Sequence, residues 1–462
     1  MSQEFQKVHR LTPLLRMWTL ILAVVAGFAF NVNASTWATV WGFISGAHDV
    51  SLWPMLAAIA AFVLVCAVIW GLSQIWWKAT GYRLTDEELQ MKRGVLNTQL
   101  RSARFDRIQA VDIVESIIAR MFRVAAVRVE TAGGNDSAID ISYLTRGDAE
   151  KLKRALLDAA QRPTPTPAVA GEQLVEVGVD KQVLVPEIPI MRSVASAALS
   201  MSTLITVVGV IIMFLTPIGV AGGLPFLAGM APTVWNLIDK SWKYNANLRD
   251  GVLSVSYGLA DRRRQSIPLE RIHAIQLSQP LLWRMLGWWK VTVTVVGYGA
   301  ETKKGGTSKI LPVGSKELAL KVLAAVGPLS PQEISRSAHP EHLSTPTFTS
   351  PAKAKWVSPL DRSRQGVTLI GEQAEVAVIH YGRLVPRMAV IETSHIQELT
   401  LRRGPIQRQL GLSTVEFNLV PGPVAMSARD LSYAQGTELL QVLRQRKLPA
   451  LSASSGPELG LD

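Results

Sequence analysis

Four long apolar runs interrupt a chain of otherwise mixed polar and apolar residues. Leu14 to Phe30 and Leu52 to Trp77 lie near its start, and Met191 to Phe214 and Ile218 to Ile238 follow more than one hundred residues later. Each run approaches the roughly 20 apolar residues that cross a hydrocarbon core. The first run also has the position of a signal peptide, but a second long run follows at once without a convincing cleavage site. The pattern predicts four membrane-spanning helices in two hairpins.

Lysine and arginine flank these runs on one side. The loop 31–51 between the first two runs contains neither residue. Because positive residues collect in the cytoplasmic loops of membrane proteins, we expect both termini and all large segments in the cytoplasm of a multi-pass membrane protein. The flanking residues are Lys7, Arg10, Arg16, Lys78, Arg83, Arg192, Lys240 and Lys243.

The polar parts of the chain repeat one another. Arg107 to Ile113 recurs as Arg271 to Leu277 after a shift of 164 residues, and a third copy around His395 to Leu401 follows after a further 124. The matches run without gaps, which favours three copies of one module. The coinciding glycines are Gly94, Gly258 and Gly382.

Each copy has the same predicted elements. Apolar and polar residues alternate in stretches such as Leu253 to Gly258, which predicts strands that turn at the glycine. A helix closes each copy, at Asp148 to Ala160, at Ser315 to Val326 with Ser315 as N-cap, and at about Ala428 to Gln445. We therefore predict modules of six or seven antiparallel strands with one C-terminal helix.

Composition divides the chain further. Stretches rich in proline, serine and threonine predict linkers, and the third module has no apolar pair of its own, so it either docks on the other two or swings free. The predicted segments are a hairpin at 14–77, a module at 78–160, a linker at 161–189, a hairpin at 190–239, a module at 240–326, a linker at 327–355, a module at 356–448 and a tail at 449–462.

The repeat cores, with Trp356 to Leu360 and Gly404 to Leu412 near the third, resemble a known family. It is the membrane-flanked bacterial pleckstrin-homology-like (bPH2) domain family, and in particular its YdbT-like membrane proteins. The resemblance implies three α+β PH-like half-open β-barrels, each with a C-terminal helix, beside the membrane helices. It implies no enzyme activity. It also implies a location in the bacterial plasma membrane, a membrane-protein partner and a setting in cell-envelope stress or bacteriocin resistance.

The charge is strongly positive, with 48 Lys and Arg against 36 Asp and Glu and a net charge of +12. Arginine binds phosphate with a bidentate fork, so arginine clusters predict contacts with anionic phospholipid head groups or an acidic partner. Two other interpretations stay open. In the first, the arginines have a structural role, in which they cap turns and cover the edges of the barrels. In the second, the positive charge serves only to orient the apolar helices in the membrane. The candidate contacts are Arg101, Arg104, Arg107, Arg262, Arg263, Arg264, Arg271, Arg402, Arg403 and Arg408.

Candidates for catalysis or metal binding are weak. Cys66 is the only cysteine, and His339 and His342 have metal-like spacing but flank Pro340 without a third ligand nearby. We therefore predict no enzyme, no cofactor and no nucleic-acid partner.

Three functions compete. The first is a scaffold that binds a membrane-protein partner or itself, and the second is a sensor of anionic lipid. A transporter or channel is the third, and the scarcity of charge within the apolar runs counts against it.

Overall fold

A computed structural model describes residues 5–9, 12, 53–95, 98–131, 138–160, 182–215, 219–296, 308–343 and 346–446. The chain forms two compact units, residues 1–172 and 173–462. The first unit holds one β-rich module, and the second unit holds two.

The module of the first unit has two small antiparallel sheets and a closing helix. Strands β1 to β4 form one sheet in sequence order, and β5 to β7 are paired in order in the other. Helix α3 packs against β5, β6 and β7, and the core between them includes Leu89, Ile113 and Leu156. The elements are β1 (Gln6–Lys7), α1 (Trp53–Lys78), β2 (Gly81–Leu84), β3 (Glu88–Arg93), β4 (Gln99–Arg104), β5 (Ile108–Glu115), α2 (Ile117–Met121), β6 (Val124–Thr131), β7 (Ile139–Thr145) and α3 (Arg146–Ala160).

The second module repeats this order. Its strands β9 and β10 are joined by Asp250 and Gly251, both with positive φ, the two-residue turn that matches the twist of a hairpin. The elements are β8 (Gln182–Val185), α4 (Ile190–Ala198), α5 (Met201–Leu215), α6 (Gly219–Ser241), β9 (Asn245–Arg249), β10 (Val252–Tyr257), β11 (Arg262–Pro268), β12 (Ile272–Ser278), β13 (Trp289–Val295), β14 (Lys309–Gly314) and α7 (Lys316–Val326).

The third module again has four strands, then three strands, then a helix. Its core includes Val367, Phe417 and Leu439. The elements are α8 (Pro331–Ser337), β15 (Phe348–Thr349), β16 (Gly366–Ile370), β17 (Val376–Tyr381), β18 (Arg387–Glu392), β19 (Glu398–Arg402), α9 (Pro405–Leu410), β20 (Leu412–Asn418), β21 (Met426–Ser432) and α10 (Tyr433–Arg444).

The repeated glycine has a backbone cause. Gly94, Gly258 and Gly382 have φ of 116°, 115° and 82°, a region that residues with a Cβ rarely adopt. A Cβ on Gly258 would lie 2.0 Å from the Asp261 carbonyl oxygen. The same turn therefore fixes glycine at the same position of all three modules.

The closing helices begin at hydroxyl caps. Ser315 Oγ accepts from the Leu318 amide at 3.3 Å, which confirms Ser315 as the N-cap. In the third module the predicted helix started too early, because Met426–Ser432 is the last strand, paired with β20. Ser432 then accepts from the Gln435 amide at 3.2 Å and begins the helix.

The prediction of four membrane-spanning helices in two hairpins is wrong. Within the described ranges, no single helix is both long and apolar enough to cross a bilayer. One pair of helices, Ile190–Ala198 with Met201–Met213, meets that requirement only when taken together, and it is bent by 57°. The first predicted span, 14–30, lies outside the described residues.

The bend has a local cause that hydropathy does not register. Ser200 Oγ accepts from the Thr203 amide at 3.1 Å, so it acts as an N-cap at the break. Thr203 Oγ1 donates to the Ala197 carbonyl at 2.6 Å, on the other side of the break. A run that is apolar on average is therefore divided into two helices by its hydroxyl groups.

Both expected linkers contain regular structure. Residues 182–185 form β8, which pairs with β9, and residues 331–337 and 348–349 form α8 and β15. Residues 161–181 lie outside the described residues, and so does the predicted tail at 449–462.

Candidate functional site at the junction of the second and third modules

The second and third modules share one sheet. Strand β12 of the second module pairs antiparallel with β18 of the third, from Ala274 opposite Ile391 to Ser278 opposite Arg387. The result is a seven-stranded sheet in the order β14-β13-β12-β18-β17-β16-β15. The two modules are therefore joined by main-chain hydrogen bonds, a mode of association that gives affinity without requiring particular side chains.

The junction is apolar and closed to solvent. Leu277 faces Met388 across the two strands, and both are fully buried. Ala274 of the second module belongs to the apolar core of the third. Burying such side chains stabilises by about 1.5–3 kcal/mol each, so the junction resembles a domain core more than a transient contact.

Polar groups at the rim of the junction are paired across the two modules. The Tyr381 hydroxyl donates to Gln276 Oε1 at 3.2 Å, and the Gln279 amide donates to the Pro386 carbonyl at 3.0 Å. Deeper in the fold, the amide of Val424 donates to Thr294 Oγ1 at 3.2 Å. These bonds fix one register, because a slip of one residue would reverse the faces of every side chain.

Two histidines stack across the junction. The rings of His273 and His395 lie parallel, with centroids 4.0 Å apart and planes at 3°. Burial, with a smaller contribution from the neighbouring His395, lowers the pKa of His273 to about 4, against the opposing effect of Glu392. At neutral pH the His273 ring is therefore uncharged, which permits the stack.

The junction answers a question that the sequence left open. The third module docks on the second. The sequence did not reveal this contact, because the two strands are ordinary apolar strands and edge pairing leaves no motif.

The arginines predicted as contacts in the first module are exposed but not gathered. Arg101 and Arg104 lie on β4, three positions apart, so their side chains leave opposite faces of the strand. Arg104 forms an ion pair with Asp106 at 3.1 Å. Arg107 is exposed at the end of the turn that follows.

The candidate arginines of the second and third modules are also not gathered into one cluster. The consecutive Arg262, Arg263 and Arg264 alternate along β11, and Arg271 ends the turn before β12. Arg402 pairs with Glu416 at 2.9 Å. The other two of the third module are Arg403, which lies 4.3 Å over the ring of Tyr433, and the exposed Arg408 at the end of α9. A role for these ten residues in binding stays a prediction.

Sequence reasoning missed a set of three lysines. Lys240, Lys290 and Lys309 line one cavity of the second module, although they lie on α6, β13 and β14. They share no spacing motif. The sequence gives no signal for Lys290 either, because it occupies a polar position of an alternating strand, in line with Thr292 and Thr294.

The two histidines with metal-like spacing stack on each other. The rings of His339 and His342 have centroids 4.7 Å apart, and the His339 carbonyl lies 2.8 Å from His380 Nε2. Among the residues that the structure describes, no group of three or more metal-ligating side chains is gathered.

Comparison with known proteins supports the repeat. The sequence model of the family described as bacterial PH domain (bPH_2) matches residues 20–160 and 190–326, more than half of the chain. A curated relative, the UPF0699 transmembrane protein YdbT of Bacillus subtilis (strain 168), is 22% identical over 345 residues. That match covers 67% of this chain and 66% of the relative, just under two thirds of its length. No solved structure matches.

Proposed function

Since this chain belongs to the bacterial PH domain family, we propose that it is a non-enzymatic membrane scaffold whose modules assemble by strand pairing. The observation that carries the proposal is the seven-stranded sheet shared by the second and third modules. In this sheet, one module of the chain binds another by pairing of their strands.

A membrane location is supported by two observations. The relative is named as a transmembrane protein. In addition, the helix α5 presents large aliphatic side chains to its surroundings, with Ile205, Ile211 and Leu215 exposed by 51%, 50% and 77%. Exposed apolar surface of this extent is costly in water and favourable against lipid tails. The positive flanks favour modules on the cytoplasmic side.

A non-enzymatic role is supported by the state of the buried carboxylates. Glu115 is buried, and one of its two carboxylate oxygens, Oε2, forms an ion pair with Arg146 at 2.8 Å. Asp430 is buried and accepts from Ser358 Oγ at 2.6 Å and from Gln407 Nε2 at 2.7 Å. Such pairing fits groups that stabilise a fold rather than groups that transfer protons to a substrate.

The repeat predicts where a further module would bind. Strand β19 of the third module corresponds to β12 of the second, and it lies at the end of its three-stranded sheet. Strand β4 of the first module corresponds to β18, lies at the end of its own sheet and is exposed except at Ala103. The chain thus carries both halves of the junction on strands that end their sheets. We assign a second copy of the chain as the occupant, with its β4 paired to β19.

The register of this pairing follows from the observed junction. Gln276 lies opposite Ala389 in the chain, and the corresponding residues at the two edges are Thr400 and Arg101. Leu277 lies opposite Met388, and the corresponding residues are Leu401 and Leu100. Leu100 is 57% exposed, a large apolar side chain on an edge strand that the pairing would cover.

Disulfide trapping tests this assembly in native membranes. Two differently tagged chains, both carrying Cys66→Ala, receive one cysteine each, Arg101→Cys in the first and Thr400→Cys in the second. Directly opposed Cβ atoms in a sheet lie about 4.5–5.5 Å apart, close enough for a disulfide after small adjustments. We expect mild oxidation to produce a crosslinked pair that carries both tags.

The control places the second cysteine one residue away. Leu399→Cys points to the opposite face of β19, so its crosslinking with Arg101→Cys should be much weaker. Equal crosslinking of the two pairs would mean random collision. Absence of crosslinking in both would remove self-assembly through these edges.

A further inference from the structure

A cavity of about 230 Å³ lies where the apolar helices of the second module meet its sheet. Its walls come from the break between α4 and α5, the last turn of α6, the turn that holds Trp283, and strands β13 and β14. The Trp283 indole donates to the Ser196 carbonyl at 3.1 Å, which ties that turn to α4. Ser193 Oγ donates to the Ser241 carbonyl at 2.8 Å and ties α4 to the end of α6. The elements that line the cavity are therefore joined to one another by hydrogen bonds.

Three lysines from three elements converge on this cavity. Lys240 comes from α6, Lys290 from β13 and Lys309 from β14. All three are partly buried. Bringing like charges together in a partly dry space is unfavourable, and an anion bound between them would lower this cost.

The pKa shifts of the lysines agree with this geometry. Burial lowers the pKa of Lys309 to about 8, and the charges of Lys290 and Lys240 add to the effect. Burial also lowers the pKa of Lys290, with a further contribution from Arg387. The other charged groups near Lys240 are Arg263 and Asp239, and the latter accepts hydrogen bonds from the Leu259 and Ala260 amides. The local field at the cavity is thus dominated by positive charge.

The hydroxyl groups of the lining do not change this conclusion. Ser196 Oγ donates to the Ser193 carbonyl at 2.8 Å, and Ser241 Oγ donates to the Leu237 carbonyl at 2.8 Å. Because their protons are committed to the backbone, these serines offer only lone pairs to the cavity. The lysines of the lining carry ammonium groups, which donate hydrogen bonds to anions.

We infer that this cavity binds a phosphate group, carried either by a lipid head group or by a free phosphate anion. Lysine is an effective point-charge ligand for phosphate, and three of them surround a space of suitable size. The exposed aliphatic face of α5 begins at Met201, which also lines the cavity. A phosphate there would have room for an acyl chain beside it. This inference is independent of the strand pairing proposed above.

Protection of individual lysines from acetylation tests the site on the purified full chain in a neutral detergent. Mass spectrometry follows each lysine with inorganic phosphate, with short-chain phosphatidylglycerol, or with chloride at equal ionic strength. The internal control is Lys321, which is exposed on α7 outside the cavity. With ligand at about ten times its Kd, labelling of Lys240, Lys290 and Lys309 should fall about tenfold, and that of Lys321 should stay unchanged.

A matched pair of variants separates a site from general attraction. Lys309→Gln should weaken the protection of Lys240 and Lys290 so that about tenfold more ligand is needed, the loss of one charge-assisted hydrogen bond. Lys321→Gln should leave it unchanged. Melting temperatures without ligand show that both variants are folded.

Comparison of the two ligands distinguishes a lipid head group from a free phosphate anion. Protection by both ligands indicates that the phosphate group suffices, protection by the lipid alone indicates a lipid site, and protection by phosphate alone indicates a free anion. Lack of protection by either, or equal protection of Lys321, would overturn the inference.

Discussion

Replacing Leu277 and Met388 with alanine, singly and together, tests the shared sheet. The two residues lie directly opposite each other at the junction, and neither retains exposed surface. Removing either large side chain from a closed site costs about 3 kcal/mol in the free energy of unfolding. Because they contact each other across the strands, the double variant should lose less than the sum, by about 1 kcal/mol.

The assay is denaturant unfolding of the full chain in detergent, followed by tryptophan fluorescence. Hydrogen exchange of β18 provides a second measure, since a strand paired on both sides protects all its amides, whereas an edge strand protects only alternate ones. The control cycle combines Met388→Ala with Leu253→Ala, a buried residue of β10 in another sheet, and it should be additive.

The refuting results are specific. If the Leu277 and Met388 effects add within about 0.4 kcal/mol, the side chains do not touch in solution. If the amides of β18 exchange in the unmodified chain as an open edge does, the second and third modules do not share a sheet.

Three further predictions concern single residues. Gly258→Ala should lower the free energy of unfolding by about 3 kcal/mol, because the new Cβ approaches the Asp261 carbonyl and the residue must also keep a positive φ. Gly251→Ala has open space around it and should cost only about 1 kcal/mol, for the positive φ alone. Thermal unfolding of the two variants compares these costs. The pKa of Lys309 is lowered to about 8 in the fold from 10.5, so the folded state binds fewer protons and stability should rise between about pH 8 and 10.5, a rise that thermal scans should find reduced in Lys309→Gln. The pKa of His273 is lowered to about 4 from 6.5, so stability should fall as pH decreases through that interval, and His273→Gln should flatten this part of the profile of unfolding free energy against pH.

The modules were predictable from the internal repeat, because each copy keeps residues that its local backbone conformation requires. The glycine at Gly94, Gly258 and Gly382 is one, since positive φ demands it at each position. The N-cap at Ser315 is another. Long-range features were not predictable in this way. The strand β8 was not predicted, and its residues were assigned to a linker, because its partner β9 follows only after three helices.

The apolar helices show the opposite limit. The sequence shows which runs are apolar, but apolar composition does not show where a helix ends. At Ser200 and Thr203 a few hydroxyl groups divide one run into two helices bent by 57°.

The candidate sites show why charge counts mislead. Arginine clusters were visible in the sequence, and the structure separates neighbours such as Arg263 and Arg264 onto opposite faces of one strand. The lysines of the cavity are distant in sequence and come together only through folding.

The position of β1 and β8 ahead of the apolar helices has a consequence for biosynthesis. A ribosome delivers Gln182–Val185 first, then α4, α5 and α6, and only afterwards the partner strand Asn245–Arg249. The four-stranded sheet of that module stays incomplete until the helices have left the exit tunnel. Nascent chains arrested before β9 should therefore show a protease-sensitive β8, and chains arrested after β10 should show a resistant one.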